Sequence, residues 1–176
     1  MPAAETADDL IDDREYAVPR ELVFEAWTVP QHFARWFAPN GVDVPFCEID
    51  ARPGGEIRFH HRVVATGALV SIKGVFDEVV APERLQFTCT FVDADDRPAA
   101  PALMPDWPVG VHIVMTVELH AVPRGTRMIV RQRVAESEAA GTPVVVRHHE
   151  LAREGWRQTV ERLVAHLEHR RTTWPS

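Results

Sequence analysis

Two periodicities divide the chain. Between residues 42 and 134 apolar and polar positions alternate, the pattern of half-buried strands. Over the last part of the chain they recur every three or four residues, the pattern of a helix. In 56–64, Ile57, Phe59, His61 and Val63 fall on one face, with Glu56, Arg58, His60 and Arg62 on the other. The 69–80 run is a strand in which Gly74 marks a bulge or a close approach. Leu85, Phe87, Cys89 and Phe91 alternate with Gln86, Thr88 and Thr90. A strand at 42–50 is interrupted by Pro45, which fits an edge strand or a bulge. The 111–119 and 127–134 runs form a hairpin about Pro123-Arg124-Gly125, and 93–108 reads as a polar, proline-rich loop. Before the sheet come a short strand at 14–18 and two short helices opened by Pro19 and Pro30. Their apolar faces are Leu22, Val23, Ala26 and Trp27, then Phe33, Trp36 and Phe37. A linker at 137–143 leads to a helix over 148–171, with Trp156, Val160, Leu163 and Leu167 in one stripe. Strands bracketed by helices predict an α+β fold with an antiparallel sheet, the long helix lying against it.

Composition narrows the class. A chain of 176 residues, 45% hydrophobic and 26% charged, suffices for one domain with a sizeable core. We place it at 14–171, after a flexible acidic tail at 1–13 and before a short tail at 172–176. The formal net charge of -7 argues against a nucleic-acid surface, which needs a basic patch. No apolar run reaches the length of a membrane span, and the acidic N-terminus lacks the basic start and apolar middle of a signal peptide. Two cysteines, Cys47 and Cys89, are too few for a disulfide framework. The expectation is a cytoplasmic protein with free thiols.

Five stretches, in order, carry a resemblance: VPRELVFEAWTVPQHFARWFAP from Val18, D-x-RPGG-x-x-RF at 50–59, APERLQFTCTF at 81–91, GTRMIV at 125–130 and GWRQTVERLVAHL at 155–167. With them the chain resembles the START-like, or SRPBCC, superfamily, and within it proteins similar to the C-terminal domain of the activator of the heat-shock-protein-90 ATPase. The resemblance implies a helix-grip fold: a curved antiparallel sheet around a long C-terminal helix, two short N-terminal helices, and a cavity between sheet and helix. It implies little about chemistry, because the superfamily includes carriers, receptors and enzymes. Its co-chaperone role goes with a two-domain architecture, and the expectation is that this chain has no room for the second domain.

On that fold the alternation selects the residues facing the cavity. The candidate ligand-binding set is Phe59, His61, Phe76, Phe87, Cys89, Met115, Met128 and Gln132 from the sheet, with His148, Ala152, Trp156 and Thr159 from the helix. Leu163 is expected beside them. Trp27, Phe33, Trp36 and Phe37 would close one end, and Gly155 would leave room where helix and sheet approach. Cys89 stands where the family often carries tryptophan, a replacement that would enlarge the cavity. An apolar pocket with few polar groups is the usual composition of a small-molecule site. For any one aliphatic residue, plain core packing is the stronger prior. His61, His148 and Gln132 are more informative, because a buried polar group needs a partner.

Other chemistry finds less support. His149-Glu150 lacks the second histidine of a zinc-binding H-E-x-x-H helix, and adjacent His60 and His61 point to opposite faces of a strand. No metal or cofactor is expected, since no nucleotide-binding glycine motif is present either. There is no G-x-S-x-G elbow, and an apolar site would hold the Cys89 thiol protonated. His166 and His169 read as solvated helix residues. The 93–108 loop, continuing through Met104 and Trp107, is a candidate lid over the cavity mouth, and an exposed Trp107 would favour a partner or ligand contact. The expected function is therefore to hold a small hydrophobic or aromatic ligand, with no nucleic-acid or membrane partner. The alternatives are a cyclase- or hydrolase-like enzyme using His61 and His148, or a chaperone-regulator-like interaction protein, including a homodimer through an exposed sheet edge.

Overall fold

A computed structural model describes residues 10–135 and 141–173. Seven strands form one antiparallel sheet: β1 (Leu10–Tyr16), β2 (Val42–Ile49), β3 (Glu56–Val63), β4 (Leu69–Val80), β5 (Arg84–Val92), β6 (Ile113–Val122) and β7 (Gly125–Val134). Two short helices, α1 (Arg20–Thr28) and α2 (Pro30–Trp36), lie between β1 and β2, and α3 (Pro143–Arg171) follows the sheet. The order across the sheet is β1-β7-β6-β5-β4-β3-β2, so β2 to β7 pair as consecutive hairpins and β1 joins the far edge. The sheet curves as a half-barrel around α3.

Sequence and structure agree in kind and differ at the ends. Pro45 lies on an edge strand, and the β2–β3 register shifts between Asp43 and Phe46. Both expectations for that proline hold together: without an N–H it cannot continue the ladder. The first strand begins at Leu10, not at residue 14, so residues 10–13 are not tail. Asp13 faces out and meets Arg127 of β7 through two hydrogen bonds, at 2.8 and 2.6 Å. Asp12 faces in beside Arg14, and burial raises its carboxyl pKa. Pro19 is the residue before α1 rather than its first, with an extended backbone. The long helix begins at Pro143, five residues earlier than expected. Pro143 suits a first turn, where no N–H partner is available, and packing of Val145 outweighs the poor helix preference of three consecutive valines. The expected tails at 1–9 and 174–176 and the linker at 137–140 lie outside the described residues.

The core is layered. Val160, Leu163 and Leu167 of α3 are fully buried against the sheet and α1. Each such side chain contributes about 1.5–3 kcal/mol relative to exposure. Behind them sits an aromatic cluster. Trp27 stacks on Trp156 with centroids 6.0 Å apart and meets Trp36 edge-on at 4.8 Å, and Phe33 stacks on Phe37 at 4.2 Å. Two arginines then fasten α3 to the N-terminal helices. Arg170 meets Glu25 at 2.7 Å. Arg162 donates to the carbonyls of Ala38 at 2.8 Å and Val42 at 3.0 Å, beyond the end of α2.

Candidate functional site

The N-terminal half of α3 does not pack flush on the sheet. Between them lies a cavity of about 360 Å³. Helical spacing brings His148, Leu151, Ala152, Gly155, Trp156 and Thr159 to the wall. Alternation along the strands brings Phe59, His61, Phe87, Cys89, Met115 and Gln132 to the opposite wall. Ten of the twelve selected residues thus share one cavity.

The other two do not reach it. Phe76 is buried deeper, its ring 5.7 Å from that of Phe87. Met128 lies behind the wall, where its Sδ receives the Trp27 Nε1–H at 3.4 Å. Leu163 is likewise core. All three have the expected facing but lie at a level where α3 and the sheet are in contact, and alternation gives a face without giving depth. Of the four aromatics expected to close one end, Phe37 reaches the wall, and Trp27, Phe33 and Trp36 stand behind it.

The selected set omitted Ala38, Pro39 and Val42 beyond α2, Val63, Val70 and Ile72 from β3 and β4, and Ile113, Leu103 and Met104. Val63, Val70, Ile72 and Ile113 carried the alternation signal. The two loop residues carried none, because their placement depends on Trp107. That residue is buried, not exposed: its ring packs on Phe91 at 5.3 Å and on His148 at 4.5 Å, pinning the loop over the site. The loop is also held at its start, where Asp96 forms ion pairs with Arg58 and Lys73 instead of simply meeting solvent. Leu103 and Leu151, 52% and 59% exposed, form an apolar rim. Gly155 does open space, but its neighbour is Pro39 rather than the sheet.

The wall is apolar with a few placed polar groups. His61 Nε2 lies 2.8 Å from the Phe37 carbonyl oxygen, which can only accept, so the proton of the neutral ring sits on Nε2. Burial lowers the pKa of His61 more than that carbonyl raises it. Thr90 donates its hydroxyl to the Val111 carbonyl and Thr159 donates to that of Gly155. The Gln132 carboxamide lies on β7 opposite Met115 and has no hydrogen-bond partner among the described residues. Burial pushes the Cys89 thiol up to about 12 and the Cys47 thiol likewise, far from a reactive thiolate. Among the described residues, no three His, Cys, Asp or Glu side chains could together hold a metal ion, and no helix is long and apolar enough to cross a membrane.

A seven-stranded antiparallel sheet gripping a long C-terminal helix, with a cavity between them, defines a START-like protein of the SRPBCC superfamily. The model of the family described as "Activator of Hsp90 ATPase homolog 1-like protein" matches residues 17–168, and the chain belongs to that family. Among solved structures, a protein from Nitrosomonas europaea is 26% identical with a TM-score of 0.72, over 96% of this chain and 99% of that one. A protein from Chromobacterium violaceum is 25% identical with a TM-score of 0.69, over 89% and 94%. The AHSA1 protein from Silicibacter pomeroyi, 23% identical with a TM-score of 0.66 over 90% and 96%, shares the fold. No curated protein matches the chain.

Proposed function

We propose that this protein binds a small hydrophobic or aromatic molecule between its sheet and the N-terminal half of α3, and that binding rather than catalysis is its task. The observation that carries the reading is the cavity itself. Its size falls within the range of small-molecule sites, and its walls are mostly aliphatic and aromatic. Catalysis by His61 has less support. A neutral ring whose one proton is committed to a backbone carbonyl is a poor acid, and burial makes it a weak base. Dimerisation by edge pairing also has less support, since β2 carries Pro45 and β1 carries an outward Asp13 and Glu15, features that discourage strand addition.

Native mass spectrometry of protein purified from cells, set against its denatured mass, tests the reading. The expected result is added mass that leaves on denaturation. In parallel, a panel of aromatic and lipid-like compounds should include one that raises the melting temperature by about 5–10 °C at a hundred times its dissociation constant. A bare native mass together with no thermal shift across the panel would sink it.

A further inference from the structure

We propose that the ligand is an uncharged molecule on the scale of two fused rings, with a hydrogen-bond donor at one end for His61 and a polar group at the other for Gln132. The proposal rests on the ligand-binding reading above and narrows it. Among the described residues, none of the side chains lining the cavity is Asp, Glu, Lys or Arg. A carboxylate or ammonium taken in there would lose its hydration and meet no Asp, Glu, Lys or Arg counter-ion among the described residues, which disfavours it strongly. A cavity of about 360 Å³ lies at the small end of the range of small-molecule sites, which suits a ligand on the scale of a two-ring compound.

The polar chemistry follows from which groups are already committed. The hydroxyl protons of Thr90 and Thr159 go to backbone carbonyls. His61 donates from Nε2 to Phe37, so Nδ1 keeps a lone pair and can receive an O–H or N–H. The Gln132 carboxamide can both donate and accept, and no described residue takes up either role. His61 stands on β3 and Gln132 on β7, four strand spacings apart. That is about 19 Å along the sheet and less across its curve. The two groups therefore cannot share one ligand atom. They mark opposite flanks of an apolar slot, which suits a ring system polar at both ends.

Equilibrium dialysis of the full chain at pH 7 tests this with three probes of one shape: naphthalene, 2,6-dihydroxynaphthalene and 2,6-naphthalenedicarboxylate. The diol should bind about ten-fold more tightly than naphthalene, and the dicarboxylate at least ten-fold more weakly than naphthalene. Gln132→Leu and His61→Phe should each remove most of the diol's advantage over naphthalene when both probes are measured on the same variant. If a variant fails to fold, the ranking in the unsubstituted protein decides. Naphthalene bound as tightly as the diol, or the dicarboxylate bound as well as either, overturns the proposal and leaves the cavity reading standing. No binding of any probe overturns both.

Discussion

The same substitution at two glycines should have opposite effects, because of what a β-carbon would meet. At Gly74 it would lie 2.5 Å from the Thr88 carbonyl oxygen and 2.8 Å from Cys89 Cβ, so β4 and β5 must part to admit it. Gly74→Ala should cost about 1–3 kcal/mol, the usual toll of overpacking, and lower the urea midpoint. At Gly155 the nearest atom would be Pro39 Cβ at 3.8 Å, an ordinary contact. Gly155→Ala should gain up to ~1 kcal/mol of helix preference and raise the melting temperature by about 2–4 °C. It should also weaken ligand binding, because the new methyl group enters the cavity. A lower melting temperature for Gly155→Ala would mean that the wall there is tighter than its geometry indicates. Both glycines stood out in the sequence as interruptions of a pattern. Only packing shows that one lets two strands approach and the other opens onto the cavity.

At the scale of elements, α3 has two halves with different work. Its C-terminal half is core and is tied down by Arg162 and Arg170, which lie off the apolar stripe. Arg162 reaches the segment after α2 that supplies Ala38, Pro39 and Val42 to the cavity wall. Arg162→Ala should cost about 2–3 kcal/mol by leaving those carbonyls without a charged donor, and Arg162→Lys should recover little, because a point charge cannot fork. Urea midpoints measure the cost, and faster hydrogen exchange at the Val42 amide would locate it. Nearby, the His166 ring lies 5.2 Å from that of His32, and its Nε2 is buried without a hydrogen-bond partner among the described residues. Burial first, then the positive neighbourhood of His32, Arg170, Arg35 and His169, lowers its pKa from 6.5 to about 4. Between those values the unfolded chain takes a proton that the folded protein refuses. Stability is therefore full above pH 6.5 and falls as the pH drops toward 4. Allowing for solvent screening, the effect is on the order of 1 kcal/mol. His166→Leu should flatten that dependence when urea midpoints at pH 7 and pH 4.5 are compared. An unchanged slope would assign the acid sensitivity elsewhere. The sequence reading took His166 for a solvated residue; its partners come from α2, which no local pattern reveals.

At the scale of the molecule, the fold was legible because most of it is sequential. Six strands pair with their chain neighbours, so the order of turns is nearly the order of the sheet. Illegible were the features that depend on distant contacts. Acidic Asp12 and Asp13 read as tail because the residues they pair with across the sheet, Val130 and Ile129, lie on β7, and the cavity's depth depends on where α3 lifts off the sheet. β1 also closes the β7 edge, so a chain beginning at Ala17 should expose that edge and self-associate, as light scattering would detect. A monodisperse monomer would show that β1 is dispensable as a guard. The pairing of β1 has a further consequence, in time. Arg14 pairs with Met128, more than a hundred residues further along the chain. During synthesis at ~5–20 residues per second, the first strand waits on the order of ten seconds for its partner to be made. The hairpins from β2 to β7 can form in that interval, each from adjacent segments with little loop entropy to overcome. The first strand made is thus among the last to find its place, and the cavity has no roof until α3, made last, arrives.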